Sequence, residues 1–374
     1  MTKKRRRFGK RNEVKIDLTQ YNIGLIGESG IGKTTLIYEV CKKVAGEDGY
    51  IFLECGKEDG ADAIQGIIYE NVRDWDTFEE ITDDIIDNKT EYYPDLKIVV
   101  IDTYDQLLEI AKPEVIRMHN SEYPDKPVKS IKAAFGGYMG GEDKATEIVL
   151  DRLWDLKEVG VRFIIVGHVK QKEQEDVATG QKFTTLTTNM SMRDFTAIKT
   201  KLHFLGVASI DREIVQENTG RKDSKTKKDI MKGVVTGESR KVTFRDDNYS
   251  IDSKSRFADI VPEIPLDADA FIKALEDAIK SEASKGSKSI EQLEKEQEQA
   301  ELEKVKEIAK AEEEKKKQKE FNEVIDKITD YIKANKSDLD KVKPILEKCK
   351  EFGADNPTQL TDIKQAKEVL KIAR

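Results

Sequence analysis

The chain has 374 residues, enough for one core of ordinary size with an appendage, or for two domains. Charged residues match hydrophobic ones at 37% and aromatics are only 7%, which excludes one uniform globule and points to solvated helix or linker. A net charge of −8 leaves nucleic-acid binding to local patches, and three widely spaced cysteines exclude a disulfide framework or a zinc cluster built from cysteines alone.

In chain order, residues 1–19 begin as a basic arm carrying Lys3, Lys4, Arg5, Arg6, Arg7, Lys10 and Arg11. It reads either as a disordered segment that follows a phosphate backbone or as a solubilising tail. A core follows over 20–280. Strands are predicted at 22–26, 50–54, 66–69, 97–101, 162–167 and 202–210, and helices at 33–45, 76–87 and 144–159. This alternation is the pattern of an α/β fold with a mainly parallel sheet. Polar stretches at 119–142 and 169–195 read as long loops, and 217–262 as an antiparallel extension with a turn at Gly237-Glu238-Ser239. A short amphipathic helix is expected at 267–279, a charged helical linker at 281–319, and a small bundle of about three helices at 320–374. No apolar run is of membrane-spanning length, so the expectation is a reduced, cytoplasmic protein without a membrane partner.

The most informative segment is Gly27-Glu28-Ser29-Gly30-Ile31-Gly32-Lys33-Thr34, followed by Thr35. It fits G-x-x-x-x-G-K-T between a strand and a helix, where backbone N–H groups turn inward around phosphates. Lys33 supplies a mobile cation, the Thr34 hydroxyl completes a Mg²⁺ shell, and the helix N-terminus adds partial positive charge. ATP and Mg²⁺ are the implied ligands. Lys97–Asp102 is an apolar strand ending in an acid, and Asp102 is placed to hold Mg²⁺ beside Thr34. A water-activating carboxylate is sought at the end of the second strand, where Glu54 and Glu58 are the candidates, with Asp59, Glu70 and Asp105 behind them. His168, ending the strand from Arg162, reads as a sensor of the γ-phosphate. The segment after it interleaves Lys170, Lys172, Lys182 and Arg193 with Phe183. That composition suits single-stranded nucleic acid, or alternatively a surface loop or peptide-binding lid.

Taken together, Gly27–Thr35, Tyr50–Glu58, Val99–Leu107 and Phe163–Lys170 resemble the RecA-like P-loop ATPases. Within that group the likeness runs to phage-encoded Sak-type single-strand annealing and recombination ATPases, through His168, Ile198-Lys199-Thr200-Lys201 and Lys254-Ser255-Arg256. The resemblance implies a homo-oligomer with nucleotide between subunits. It also implies a trans role at that nucleotide for Lys254 and Arg256, with Arg245 behind them. The function it implies is a Mg²⁺-dependent, DNA-stimulated ATPase acting on single-stranded DNA. The rival reading is a RecA-fold helicase loader or partner switch that recruits proteins through the C-terminal bundle. A nucleotide kinase is a weaker third, since the arginine-rich lid it needs is missing.

Overall fold

The computed structural model describes residues 12–57, 59–175, 182–222, 229–245, 253–286, 288–336 and 338–373. The chain divides into two compact units, Met1–Ile86 with Tyr93–Ala300, and Asp87–Tyr92 with Glu301–Arg374. The first unit carries the parallel strands β1 (Ile23–Gly27), β2 (Tyr50–Cys55), β3 (Tyr69–Val72) and β4 (Ile98–Asp102). Helices α1 (Lys33–Ala45), α2 (Trp75–Asp87), α3 (Tyr104–Glu122) and α4 (Gly140–Glu158) connect them onward to β5 (Arg162–Glu175). Then come β6 (Lys182–Thr188), α5 (Met192–Lys199), β7 (Phe204–Lys222), β8 (Asp229–Thr243), β9 (Lys254–Ser255), β10 (Glu263–Pro265) and α6 (Ala268–Ser284).

Among the described residues ten strands form one sheet along the path β10-β8-β7-β1-β5-β4-β2-β3, with β6 on β5 and β9 on β7. The strands from β7 to β3 pair in parallel, and the additions are antiparallel. This is the expected class, an α/β core on a mainly parallel sheet. Alternate residues of each strand feed two layers, as a period of two requires. Leu25, Phe52, Val100 and Ile164 pack under α1 and α6. Ile26, Leu53, Ile101 and Ile165 pack under α2, α3, α4 and α5.

The 119–142 stretch is only partly a loop, over 123–130 and 137–139. Helix α3 runs to Glu122, a 3-10 segment covers Ile131–Gly136, and α4 begins at Gly140. Helix α3 escapes a periodicity reading because Glu109, Lys112, Pro113 and Glu114 crowd its buried stripe of Leu107, Leu108, Ala111 and Val115. In the 169–195 stretch the described residues form antiparallel β5 and β6, followed by α5, and 176–181 lie outside the described residues. The Gly237–Ser239 turn is overturned as well. Those residues lie inside β8 opposite Glu213–Asp211, and the register shifts beside Gly237. The glycine marks a bulge rather than a reversal. Residues 223–228, between β7 and β8, lie outside the described residues, as does the basic arm at 1–11.

At the N-terminal edge of the sheet, His203 Nδ1 accepts a hydrogen bond from the Asn22 N–H at 3.1 Å. Burial, and then the charge of Arg256, push its pKa down from 6.5 to about 4. The unfolded chain therefore takes up a proton that the folded chain refuses, so stability drops as pH falls from 6.5 towards 4. Urea midpoints should decline across this window. The His203→Gln variant should lose roughly 1–2 kcal/mol of that decline, allowing for partial solvent screening.

In the second unit, the C-terminal part of α7 (Ile290–Ala334), α8 (Leu339–Glu351) and α9 (Ile363–Ile372) bury Ile325, Ile328, Ile345, Cys349 and Val369. Helix α7 is continuous through residue 320, where the sequence reading begins a separate bundle. Among the described residues no helix is long and apolar enough to cross a membrane.

Candidate nucleotide site

Strand β5 lies between β1 and β4, so four strand ends meet at one edge. The register sets Gly27 opposite His168 and Glu54 opposite Asp102. The loop from Gly27 to α1 turns through Gly30 at φ +75° and Gly32 at φ +105°, a conformation that favours glycine. Gly27 is needed for closeness instead. A Cβ there would lie 2.8 Å from that of Ala208 on β7.

Lys33 is buried, and its Nζ donates to the carbonyls of Gly27 at 3.1 Å and Glu28 at 2.9 Å. Thr34 Oγ1 donates to Asp102 Oδ2 at 2.7 Å. A cation at this point would rest on Thr34, Asp102 and nucleotide phosphates, the mixed oxygen shell that Mg²⁺ prefers. Glu28, Ser29, Gly30, Ile31 and Thr35 complete the loop, with Ser29, Gly30 and Thr35 exposed.

Glu54 is the residue with the least ordinary surroundings. It is 1% exposed; Oε1 accepts the Ala61 N–H at 2.6 Å, and Oε2 has no hydrogen-bond partner among the described residues. The point a Cβ on Gly60 would occupy is 3.6 Å from Thr34 Oγ1 and 3.9 Å from Glu54 Oε1, so both oxygens border the same small space. Burial raises the Glu54 pKa; the Ala61 hydrogen bond works against this, and the nearby charge of Asp102 adds to it. An unsatisfied buried carboxylate oxygen is costly to the fold, and such oxygens cluster at functional sites. Glu58 lies outside the described residues. Asp59 pairs with Arg73 at 3.3 Å, and Glu70 is exposed on β3.

His168 Nδ1 lies 3.2 Å from Asp105 Oδ2, which joins β5 to the first turn of α3. Burial raises the Asp105 pKa, but the hydrogen bond and charge of His168 outweigh it, and the net direction is down. An Nδ1–H donated to this carboxylate fixes the orientation and tautomer of the ring.

The nucleic-acid candidates separate. Lys170 and Lys172 are exposed on the β5–β6 hairpin beyond His168, with Lys170 Nζ also donating to the Asn189 carbonyl at 3.2 Å. The register sets Lys182 opposite Glu175 and Phe183 opposite Gln174. Arg193 is not on the hairpin but at the start of α5, ion-paired with Asp143 of α4 at 2.5 Å. Lys254 and Arg256 are not brought to this chain's nucleotide site. They lie at the opposite edge of the sheet, because β9 pairs with the start of β7. Lys254 Nζ donates to the Lys199 carbonyl at 2.6 Å, and Arg256 to those of Leu202 and Thr200. Both cations thus tie down the turn after α5, where helix carbonyls attract positive charge. Arg245 donates to the Ala258 carbonyl at 3.3 Å.

Two residues escape sequence reasoning. Arg240 of β8 donates to the carbonyl of Ile31 in the phosphate loop at 3.1 Å. Tyr138 is 99% exposed within an unbroken run of positive φ from Phe135 to Met139, just ahead of α4. His119 Nδ1 accepts the Phe135 N–H at 3.1 Å and anchors that run. The flanking Gly136-Gly137 and Gly140-Gly141 pairs are the signal in the sequence.

No curated protein matches the chain. Among solved structures it is similar to a KaiC-like protein of the hyperthermophilic archaeon Pyrococcus horikoshii, at 16% identity over 61% of this chain and 79% of that one, with a TM-score of 0.29. It is also similar to an ATPase of the type III secretion system of pathogenic bacteria, at 13% identity over 54% of this chain and 59% of that one, with a TM-score of 0.32. Residues 19–257 match the AAA domain family. That match spans more than half of the chain, from just ahead of β1 to just past β9, and the protein is a member of the AAA domain family.

Proposed function

We propose that this protein is a Mg²⁺-dependent ATPase that binds single-stranded DNA and serves recombination, annealing or replication. The observation that carries the hydrolytic part is Glu54, a buried carboxylate with a free oxygen beside the Thr34–Asp102 pair. Glu54 orients a water molecule and takes its proton as the water oxygen attacks the γ-phosphorus and the bond to the β–γ bridging oxygen breaks. Lys33 exchanges its two carbonyl partners for phosphate oxygens. Thr34 and Asp102 hold Mg²⁺, which supplies charge neutralisation at the phosphates when bound. His168 reads the γ-phosphate through Nε2 while Asp105 fixes its ring.

The DNA part rests on placement. The hairpin with Lys170 and Lys172 continues directly from His168, and α4, preceded by Tyr138, starts towards the same edge of the sheet. Exposed cations suit phosphates, and an exposed aromatic ring suits stacked bases. The Sak-type likeness is weaker support, since Lys199, Thr200, Lys254 and Arg256 are accounted for within one chain by the turn after α5. The C-terminal bundle remains the proposed site for a protein partner.

The test is ATP turnover with and without single-stranded DNA, at several salt concentrations. DNA should raise turnover, and Lys170→Ala with Lys172→Ala should lower DNA affinity about tenfold with a shallower salt slope. Turnover that ignores DNA would favour the partner switch instead.

A further inference from the structure

Strand β2 delivers Glu54 to the site, and residues 59–63 fold back beside that carboxylate, because the Ala61 N–H donates to Glu54 Oε1 at 2.6 Å. The same residues are pinned from β3. Arg73, just past that strand, donates to the Gly56 carbonyl and to Asp59 Oδ1 at 3.3 Å, and Tyr69 donates to Asp62 Oδ1. Gly60 is where this wall meets the site. Its backbone, at φ −74° and ψ −29°, lies in the right-handed helical region that every L-residue adopts. A Cβ there would have Thr34 Oγ1 at 3.6 Å and Glu54 Oε1 at 3.9 Å as neighbours, which is ordinary contact without a clash. Neither backbone nor packing therefore asks for glycine at this position. Glycine instead costs the fold, since it leaves the unfolded chain more freedom to lose than alanine does.

What glycine preserves is the volume of a methyl group against those two oxygens. That volume has a use. Glu54 Oε2 is buried with no hydrogen-bond partner among the described residues, and a buried acceptor beside a polar space is satisfied by ordered water. Gly60 itself is exposed, which puts this space at the solvent boundary. We infer that Gly60 is a positioning residue for hydrolysis: the side chain it lacks leaves room for the water that Glu54 holds for attack. This role rests on the reading of Glu54 as the proton acceptor, and adds to it the residue that keeps its water in place. A methyl group offers no hydrogen bond, and it displaces a molecule that has to come within about 2.6–3.2 Å of the carboxylate.

The test compares full-length Gly60→Ala, Glu54→Gln and the double variant with the wild-type chain. Without nucleotide, Gly60→Ala should melt at the wild-type temperature or above it, since alanine takes this backbone without strain. Calorimetric titration with ATP and Mg²⁺ should show unchanged affinity. Turnover should nevertheless fall at least about tenfold, through kcat and with KM unchanged, because the lost contact serves the reaction and not binding. Adding Gly60→Ala to Glu54→Gln should cost little further, because both act on one water. A Gly60→Ala variant that turns over at the wild-type rate while Glu54→Gln is slow would overturn the role of Gly60 and leave Glu54 in place. Glu54→Gln at the wild-type rate would overturn Glu54 and the role of Gly60 with it. A loss of ATP affinity equal to the loss of turnover, a lowered melting temperature, or full additivity in the double variant would each assign Gly60 to the nucleotide or the loop rather than to the water.

Discussion

Glu54→Gln should bind ATP as tightly as the wild-type chain and turn it over about 10²–10⁴-fold more slowly, the usual worth of a general base. The amide keeps an oxygen for the Ala61 N–H and keeps the volume of the side chain, so the loss isolates the proton acceptor. Steady-state phosphate release measures the rate, and titration with a fluorescent ATP analogue measures binding. Equal losses in both would remove Glu54 from the chemistry. The pH profile gives a second readout. Burial raises the Glu54 pKa above 4.5, so the acid limb of turnover should lie above the ordinary carboxylate range and vanish in the variant. Linkage fixes the sign for stability too. A carboxyl whose pKa is raised on folding costs stability once it is ionised, so Glu54→Gln should be as stable as the parent at neutral pH, or more so.

Lys33→Ala should weaken ATP binding about 10–100-fold, the equivalent of one or two charge-assisted hydrogen bonds at roughly 1.5–3 kcal/mol. The ammonium now satisfies the carbonyls of Gly27 and Glu28, which lets water replace it without rebuilding the loop. Calorimetric titration against ATP reads the loss, and an unchanged melting transition separates it from unfolding. Binding that survives the substitution would mean that the loop holds something other than phosphate.

The nucleotide-binding corner was legible because its chemistry is local. Gly27–Thr34 and Asp102 announce themselves by spacing and by the apolar strands before them. The choice between Glu54 and Glu58 was not legible. What sets Glu54 opposite Asp102 is the register of β2 against β4 rather than residue type, and Glu58 lies outside the described residues. The setting of Lys254 and Arg256 was hidden for a related reason. A Lys-x-Arg pair looks the same at a phosphate as at the carbonyls of a helix end, and within one chain the pairing of β9 with β7 sets this pair beside the latter. The strand after His168 was hidden because Lys170, Gln171, Lys172 and Glu173 are exposed in succession and leave no apolar alternation to read.

The bond from Arg240 to Ile31 gives β8 a grip on the backbone that would hold the phosphates. Binding equilibria that share such a link are reciprocal. A partner that seizes the β7–β8 ribbon and displaces Arg240 changes nucleotide affinity by some factor. Nucleotide must then change the partner's affinity by that same factor. A partner that displaces Arg240 would therefore report on, and be governed by, the occupancy of Gly27–Thr34.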